Sequence, residues 1–263
     1  MWFKSTEFGD KRDRVIVKSD GWKTYLAGDI AYHKYKFENK KFDKVINIWG
    51  ADHLDDESGL QAGVASLGHK GKLDIVFLQF VTILEKSEKL RMSKRAGIYV
   101  TMDELLDKVG KDIVRFFFLT KSTNTHLNFD LSLAKEQSEK NPVYYVQYAH
   151  ARICSIIRKV PDFKPKSTDF NYQLLEHPSE LGLIKQLIKL PEIVEDTAKD
   201  YQVHRISQYA IDAARSFHQF YRDCQVISED KNLTNARLSL ISAAKVAFKN
   251  ALDLMGISSP ESM

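Results

Sequence analysis

The strongest constraint on how this chain can fold lies in residues 43–84. Asp43 to Trp49 is a strand-like run, apolar at Val45, Ile46, Ile48 and Trp49, and it ends on Gly50-Ala51-Asp52-His53. Glu57 to Leu67 has helical periodicity and stops at Gly68, and Asp74 to Leu84 is a second strand or bent strand pair. Strand, polar tip, helix and strand form a βαβ pattern. Parallel strands joined in this way bind ligands at their carboxyl ends. Asp52 and His53 stand at such an end. On position alone they are either a polar turn or groups that face a ligand.

The flanking segments extend this α/β reading. Trp2, Phe3 and Phe8 precede the alternating run Arg14-Val15-Ile16-Val17-Lys18, which is strand material, and Ser19-Asp20-Gly21 makes a turn. Thr24 to Lys36 reads as a helix, and its spacing puts Tyr25 and Asp29 on one face. Downstream, Glu88-Lys89-Leu90-Arg91-Met92-Ser93-Lys94-Arg95-Ala96-Gly97 packs Arg91, Lys94 and Arg95 around a serine, just before a glycine. Such a loop is either a solvated basic surface or a grip on polyphosphate. Two short helices, Asp103 to Val109 and Asp112 to Thr120, come next. Residues 121–130 read as a polar loop, and Asp130 opens another helix to about Glu139.

From residue 136 onward the pattern is helical. Asn141 and Pro142 make a helix start, with Asn at the cap and Pro in the first turn. In the helix from Val143 to about Lys159, Val146, Ala149, Ile153, Ile156, Ile157 and Val160 form an apolar stripe. Tyr145, Tyr148, Arg152 and Lys159 form a second stripe beside it. These side chains either edge the core or offer aromatic faces and cations to nucleic acid. Three further stretches, about Tyr172 to Ala198, Tyr201 to Cys224 and Asn232 to Met255, complete an all-α bundle.

Charge and cysteine usage narrow the chemistry. The net charge of +4 resides in residues 1–135, which carry 23 Lys+Arg against 19 Asp+Glu; residues 136–263 carry 16 of each. Nucleic-acid contact by the second half must therefore come from local patches rather than a long-range field. Cys154 and Cys224 lie far apart with no CxxC or Cys/His cluster, which points to a reducing cytosol and no structural metal. No apolar run reaches the length of a membrane span. No GxGxxG follows any strand, which argues against a nicotinamide dehydrogenase.

Several of these segments together resemble one family. Arg91-Met92-Ser93-Lys94-Arg95 resembles the KMSKS signature of class I aminoacyl-tRNA synthetases. Asn141-Pro142-Val143-Tyr144-Tyr145-Val146-Gln147-Tyr148-Ala149-His150-Ala151-Arg152 is similar to the helix that opens the anticodon-binding domain of arginyl-tRNA synthetases. Thr24-Tyr25 with Asp29 to His33, Gly50-Ala51-Asp52-His53 and the tail from Gly256 to Met263 match that family in the same order. The resemblance implies a fold: a partial Rossmann-type catalytic domain over 1–135, then an all-α helical-bundle anticodon-binding domain over 136–263. It implies arginine–tRNA ligase activity, with ATP as a substrate accompanied by Mg2+ and no tightly bound cofactor or resident metal.

It also implies site residues. Lys94, Ser93 and Arg91 would be catalytic, and Met92, Lys94, Asp52 and His53 would bind ATP. Tyr25, Asp29 and His53 would bind arginine, and Tyr145, Tyr148, Arg152 and Met263 would contact the tRNA anticodon. Arg91 and Arg95 replace the first lysine and last serine of the signature. No HIGH-type tetrapeptide occurs in the chain. The expectation is therefore the C-terminal portion of such an enzyme, inactive by itself, monomeric and cytoplasmic, with tRNA, L-arginine and ATP as its partners and no membrane. The alternative is a tRNA-binding module without catalysis.

Overall fold

The computed structural model describes residues 1–85, 88–89, 100–163 and 171–263. They form two compact units. The first comprises Met1–Phe80 with Thr123–His126, and the second Val81–Ser122 with Leu127–Met263.

In the first unit, β1 (Trp2–Phe3) pairs antiparallel with β2 (Arg14–Val15). Helix α1 (Tyr25–Lys34) starts where the Thr24 hydroxyl accepts the Ala27 N–H, and continues into a π-helical turn over Tyr35–Asn39. Strand β3 (Val45–Gly50), α2 (Glu57–Ser66) and β4 (Leu73–Leu78) then form the expected βαβ unit. The two strands are parallel and in register from Val45–Leu73 to Gly50–Leu78. Alternation along β3 turns Val45 and Asn47 inward, while Ile46 and Ile48 face out. Phe37, Val45, Leu60, Val64 and Leu73 make the core, with Leu26 and Ile30 of α1 packed against it. The two helices meet closely at Gly63, where a Cβ would lie 2.4 Å from Ile30 Cγ1.

In the second unit, β5 (Val81–Glu85) lies between β6 (Glu88–Lys89), which is antiparallel to it, and the parallel β7 (Leu127–Asp130). The run Asp74–Leu84 is thus two strands, β4 and β5, in different units. Strand β7 falls in what reads as a polar loop; only Leu127 and Phe129 of its four residues point inward. Helices α3 (Met102–Val109) and α4 (Lys111–Phe118) follow the expected segments, α3 beginning with a Thr101/Glu104 capping box. The helix from Asp130 shrinks to one turn, α5 (Leu131–Ala134).

Among the described residues, five longer helices build the bundle: α6 (Pro142–Arg158), α7 (Pro178–Leu187), α8 (Leu190–Asp200), α9 (His204–Asp223) and α10 (Lys231–Leu254). The stretch Tyr172–Ala198 is a short 3-10 turn, Tyr172–Leu174, followed by α7 and α8 rather than one helix. Pro178 and Pro191 each occupy the first turn of a new helix, where a missing N–H costs nothing. One core runs from Phe116 and Phe129 through Val146 and Ile153 to Phe217, Ile241 and Phe248.

Candidate functional site

Within the first unit, a cleft of about 420 Å³ opens at the carboxyl end of β3, lined among others by Arg14, Tyr25, Asp29, Trp49, His53 and Asp56. The structure thus brings Tyr25, Asp29 and His53 to one site. Tyr25 is 96% exposed, so its ring is free to lie against a ligand. His53 sits on the 3-10 segment Ala51–Asp56, with Nδ1 3.3 Å from Asp56 Oδ2 and Nε2 3.9 Å from Asp52 Oδ2. Asp52 is not part of the cleft lining; its carboxylate folds back so closely that a Cβ on Gly50 would meet Oδ1 at 2.4 Å.

Three lining residues escape the sequence reading. Trp49 is the last large side chain of β3, its ring centroid 6.1 Å from that of His53. Asp56 adds a second carboxylate to the cleft lining; its spacing of three from His53 was the available signal. Arg14 contributes a cation already engaged by a carboxylate. Its Nε donates to Asp10 Oδ2 at 2.7 Å and its Nη2 to Ser58 Oγ at 2.9 Å. The bond from Arg14 holds the buried Asp10 carboxyl well below the usual carboxylate range. The cleft therefore offers an arriving cation two exposed carboxylates and flat aromatic surface. Arg91, Met92, Ser93, Lys94 and Arg95 lie outside the described residues.

The second unit carries an aromatic and cationic ladder on facing surfaces of α6 and α9. The rings of Tyr144 and Tyr148 stack at 6.1 Å and 9°. Tyr148 stacks on His218 of α9 at 6.0 Å, and Tyr145 lies 4.7 Å from the same imidazole. The Arg152 guanidinium lies 5.0 Å from the Tyr148 ring and 5.2 Å from that of Tyr221; it donates to both phenol oxygens. Tyr145, Tyr148 and Arg152 thus stand together as their spacing predicts. Tyr145 is the most core-bound of them, and burial pushes its hydroxyl pKa up. His218 and Tyr221 lie about 70 residues away in sequence, so no local pattern could link them to α6.

The tail from Gly256 is strapped along α6. Gly256 adopts φ +66°, and Arg115 Nε donates to the preceding carbonyl, Met255 O, at 2.7 Å. Gln147 Nε2 donates to Ser258 O at 3.0 Å, His150 Nδ1 to Pro260 O at 2.8 Å, and Arg158 to Glu261 O at 3.0 Å. Met263 lies at the edge of a groove of about 540 Å³ that Tyr144 and Gln147 also line. Among the described residues no His, Cys, Asp and Glu cluster could hold a metal ion, and no helix is long and apolar enough to cross a membrane.

A family model described as the catalytic domain of class I (R) tRNA synthetases matches residues 3–126, and one described as the DALR anticodon binding domain matches residues 146–263. The arginine–tRNA ligase of Heliobacterium modesticaldum is 46% identical over 271 residues, covering 100% of this chain and 48% of the relative. That of Dehalococcoides mccartyi (strain CBDB1) is 48% identical over 267 residues, covering 100% of this chain and 47% of the relative. The chain belongs to the arginyl-tRNA synthetase family. A solved structure of an arginyl-tRNA synthetase from Campylobacter jejuni superposes with a TM-score of 0.88 at 34% identity, covering 100% of this chain and 57% of the other. This synthetase-family chain spans about half the length of the curated relatives it matches. The lining of its cleft falls inside the catalytic match, and Tyr148, Arg152 and the tail fall inside the anticodon-binding match. Tyr145 stands one residue before the latter begins.

Proposed function

We propose that the chain forms part of an arginine–tRNA ligase, with an arginine subsite in the cleft of the first unit and an anticodon-facing surface in the second. The observation that carries the reading is the convergence of Tyr25, Asp29 and His53 at the carboxyl end of β3. The reaction has two steps. The arginine carboxylate attacks the α-phosphorus of Mg2+-bound ATP and pyrophosphate leaves. A hydroxyl at the tRNA 3′ end then attacks the acyl carbon and AMP leaves.

In this reading the Asp29 carboxylate pairs with the substrate guanidinium and the Tyr25 ring lies flat against it. Asp52 and His53 border the adenosine. Lys94, with Arg91, Ser93 and Met92, meets the phosphates, where oriented cations act mainly on the transition state. Tyr145, Tyr148, Arg152 and Met263 face the anticodon loop. Residues 1–135 serve as the catalytic portion and 136–263 as the anticodon-binding domain of a monomeric, cytoplasmic protein.

Titration of the chain with tRNA bearing an arginine anticodon, against the same tRNA with that anticodon changed, tests the reading. Binding that weakens with the changed anticodon supports it; equal affinities overturn the anticodon role.

A further inference from the structure

Helix α1 carries a buried histidine that the proposed reaction does not use. His33 is 3% exposed and stands one turn beyond Asp29. Its Nδ1 lies 2.7 Å from the Asp29 carbonyl oxygen, and its Nε2 lies 3.0 Å from Asn47 Nδ2 and 3.2 Å from Asn47 Oδ1. Asn47, 8% exposed, points inward from the middle of β3. Lys36 Nζ reaches Asn47 Oδ1 at 3.4 Å.

Donor and acceptor chemistry fixes the direction of the two outer bonds of this chain. A carbonyl oxygen only accepts, so Nδ1 carries a proton. The Lys36 ammonium only donates, so it takes Asn47 Oδ1 as its acceptor. Asn47 can meet Nε2 through its NH2 group at 3.0 Å, with Nε2 accepting, or through Oδ1 at 3.2 Å, whose second lone pair can take an Nε2–H. In either arrangement the bonds link Lys36 to Asn47, Asn47 to His33, and the His33 Nδ1–H to the backbone of Asp29.

We infer that His33 and Asn47 are positioning residues for the arginine subsite, fixing the backbone of Asp29 against β3 so that its carboxylate meets the substrate guanidinium in the cleft. This rests on the reading of that cleft given above. Asn47 lies two residues before Trp49, which lines the cleft, so the link joins the two walls of the site. At its start α1 is held by the cap Thr24, which bonds to the Val15 and Ile16 carbonyls; beyond that, apolar packing through Leu26 and Ile30 is non-directional. Such packing tolerates sliding, whereas a buried bond to a specific carbonyl fixes one position. Neither His33 nor Asn47 lines the cleft, so both act through Asp29.

The test is an amide-shift titration of the 15N-labelled chain with L-arginine, with Asn47→Leu, Asn47→Asp and Asp29→Asn compared. Asn47→Leu removes the hydrogen-bond partner of Nε2 and should weaken arginine binding roughly three- to tenfold, the equivalent of one net hydrogen bond. Asn47→Asp offers Nε2 a carboxylate, which holds an imidazolium whose Nδ1–H still reaches Asp29, and should restore most of the affinity. Ring 15N shifts should show Nδ1 protonated in the unmodified chain and in Asn47→Asp. If Asp29→Asn abolishes binding while both Asn47 variants bind as the unmodified chain does, the positioning role fails and the cleft reading stands. An unprotonated Nδ1 in the unmodified chain also overturns the positioning role without needing any variant to fold. No saturable response in the unmodified chain overturns the cleft reading, and the positioning role with it.

Discussion

Ser258 donates its backbone N–H to Asp112 Oδ2 at 3.1 Å, across 146 residues of sequence. The Ser258 hydroxyl and Gln147 Nε2 bond to the same carboxylate oxygen, so Asp112 of α4 ties the tail to α6. Asp112→Ala should free residues 256–263 from α6. The groups it releases are reached by water, so the loss of stability should be modest, about 1–2 kcal/mol. Amide exchange at Ser258 and beyond should accelerate while exchange in α9 stays unchanged. Unchanged protection of the tail would show that the bonds from His150 and Arg158 hold it without Asp112.

Two glycines near the cleft should respond in opposite ways. A Cβ at Gly63 would sit 2.4 Å from Ile30 Cγ1, whereas one at Gly28 meets nothing within 4 Å. Gly63→Ala must push α1 away from α2 and should cost about 1–3 kcal/mol, as overpacked cores do. Gly28→Ala, in an exposed helix interior, should stabilise by about 0.5–1 kcal/mol by restricting the unfolded backbone. Thermal unfolding of both variants, followed by Trp49 fluorescence, checks the pair. Equal shifts would mean that the α1–α2 approach is looser than these distances.

The βαβ unit was legible in sequence because its strands are largely apolar runs and its helix has a clean stop at Gly68. The Tyr25–Asp29 spacing and the Asn141-Pro142 helix start were legible for the same local reason. Strand β7 was not, because Leu-Asn-Phe-Asp offers two inward residues in a polar surround, and its pairing with β5 is long-range. The break between α7 and α8 was masked by apolar spacing that continues from Leu187 to Leu190; Pro178 and Pro191 were the signals to weigh. In the cleft, Arg14 and Asp56 gain their places only when separate segments close on each other. The same holds for His218 and Tyr221, which complete a ladder of rings and guanidinium whose legible half lies on α6.

Burial lowers the pKa of both His150 and His218 in the second unit. Both stay neutral in the folded state at pH values where the unfolded chain, titrating near about 6.5, already binds protons. Stability of this unit should therefore be fully present above that pH and fall as the solution is acidified through it towards the lower folded values. Urea midpoints at pH 7.5 and 5.5 should show the drop, and His218→Phe, which keeps an aromatic ring against Tyr145, should reduce it. The first unit should respond lower on the scale. Its depressed Asp10 contributes stability above the unfolded carboxyl range, near about 4, and loses it only as pH falls further. A midpoint independent of pH between 7.5 and 5.5 would remove the histidines from the account.

The ladder on α6 separates aromatic stacking from hydrogen bonding. Tyr148 touches Tyr144, His218 and Arg152, and its hydroxyl is bonded to the Arg152 guanidinium. If its ring stacks on a base of the anticodon loop, Tyr148→Ala should weaken tRNA binding by about 1–3 kcal/mol. Tyr148→Phe keeps the ring and removes only the bond to Arg152, so its loss should be clearly smaller. Arg152→Lys keeps the charge but gives up the flat guanidinium between Tyr148 and Tyr221, so it should fall between the two. Tyr145→Ala should act mainly on folding, because that ring packs against the core and the His218 imidazole. Fluorescence anisotropy with labelled tRNA at two salt concentrations, together with unfolding midpoints, distinguishes these outcomes. Equal losses for Tyr148→Ala and Tyr148→Phe would assign the effect to the hydroxyl and its bond to Arg152. Unchanged binding in both would place Tyr148 outside the tRNA interface and leave the ladder as a brace between α6 and α9.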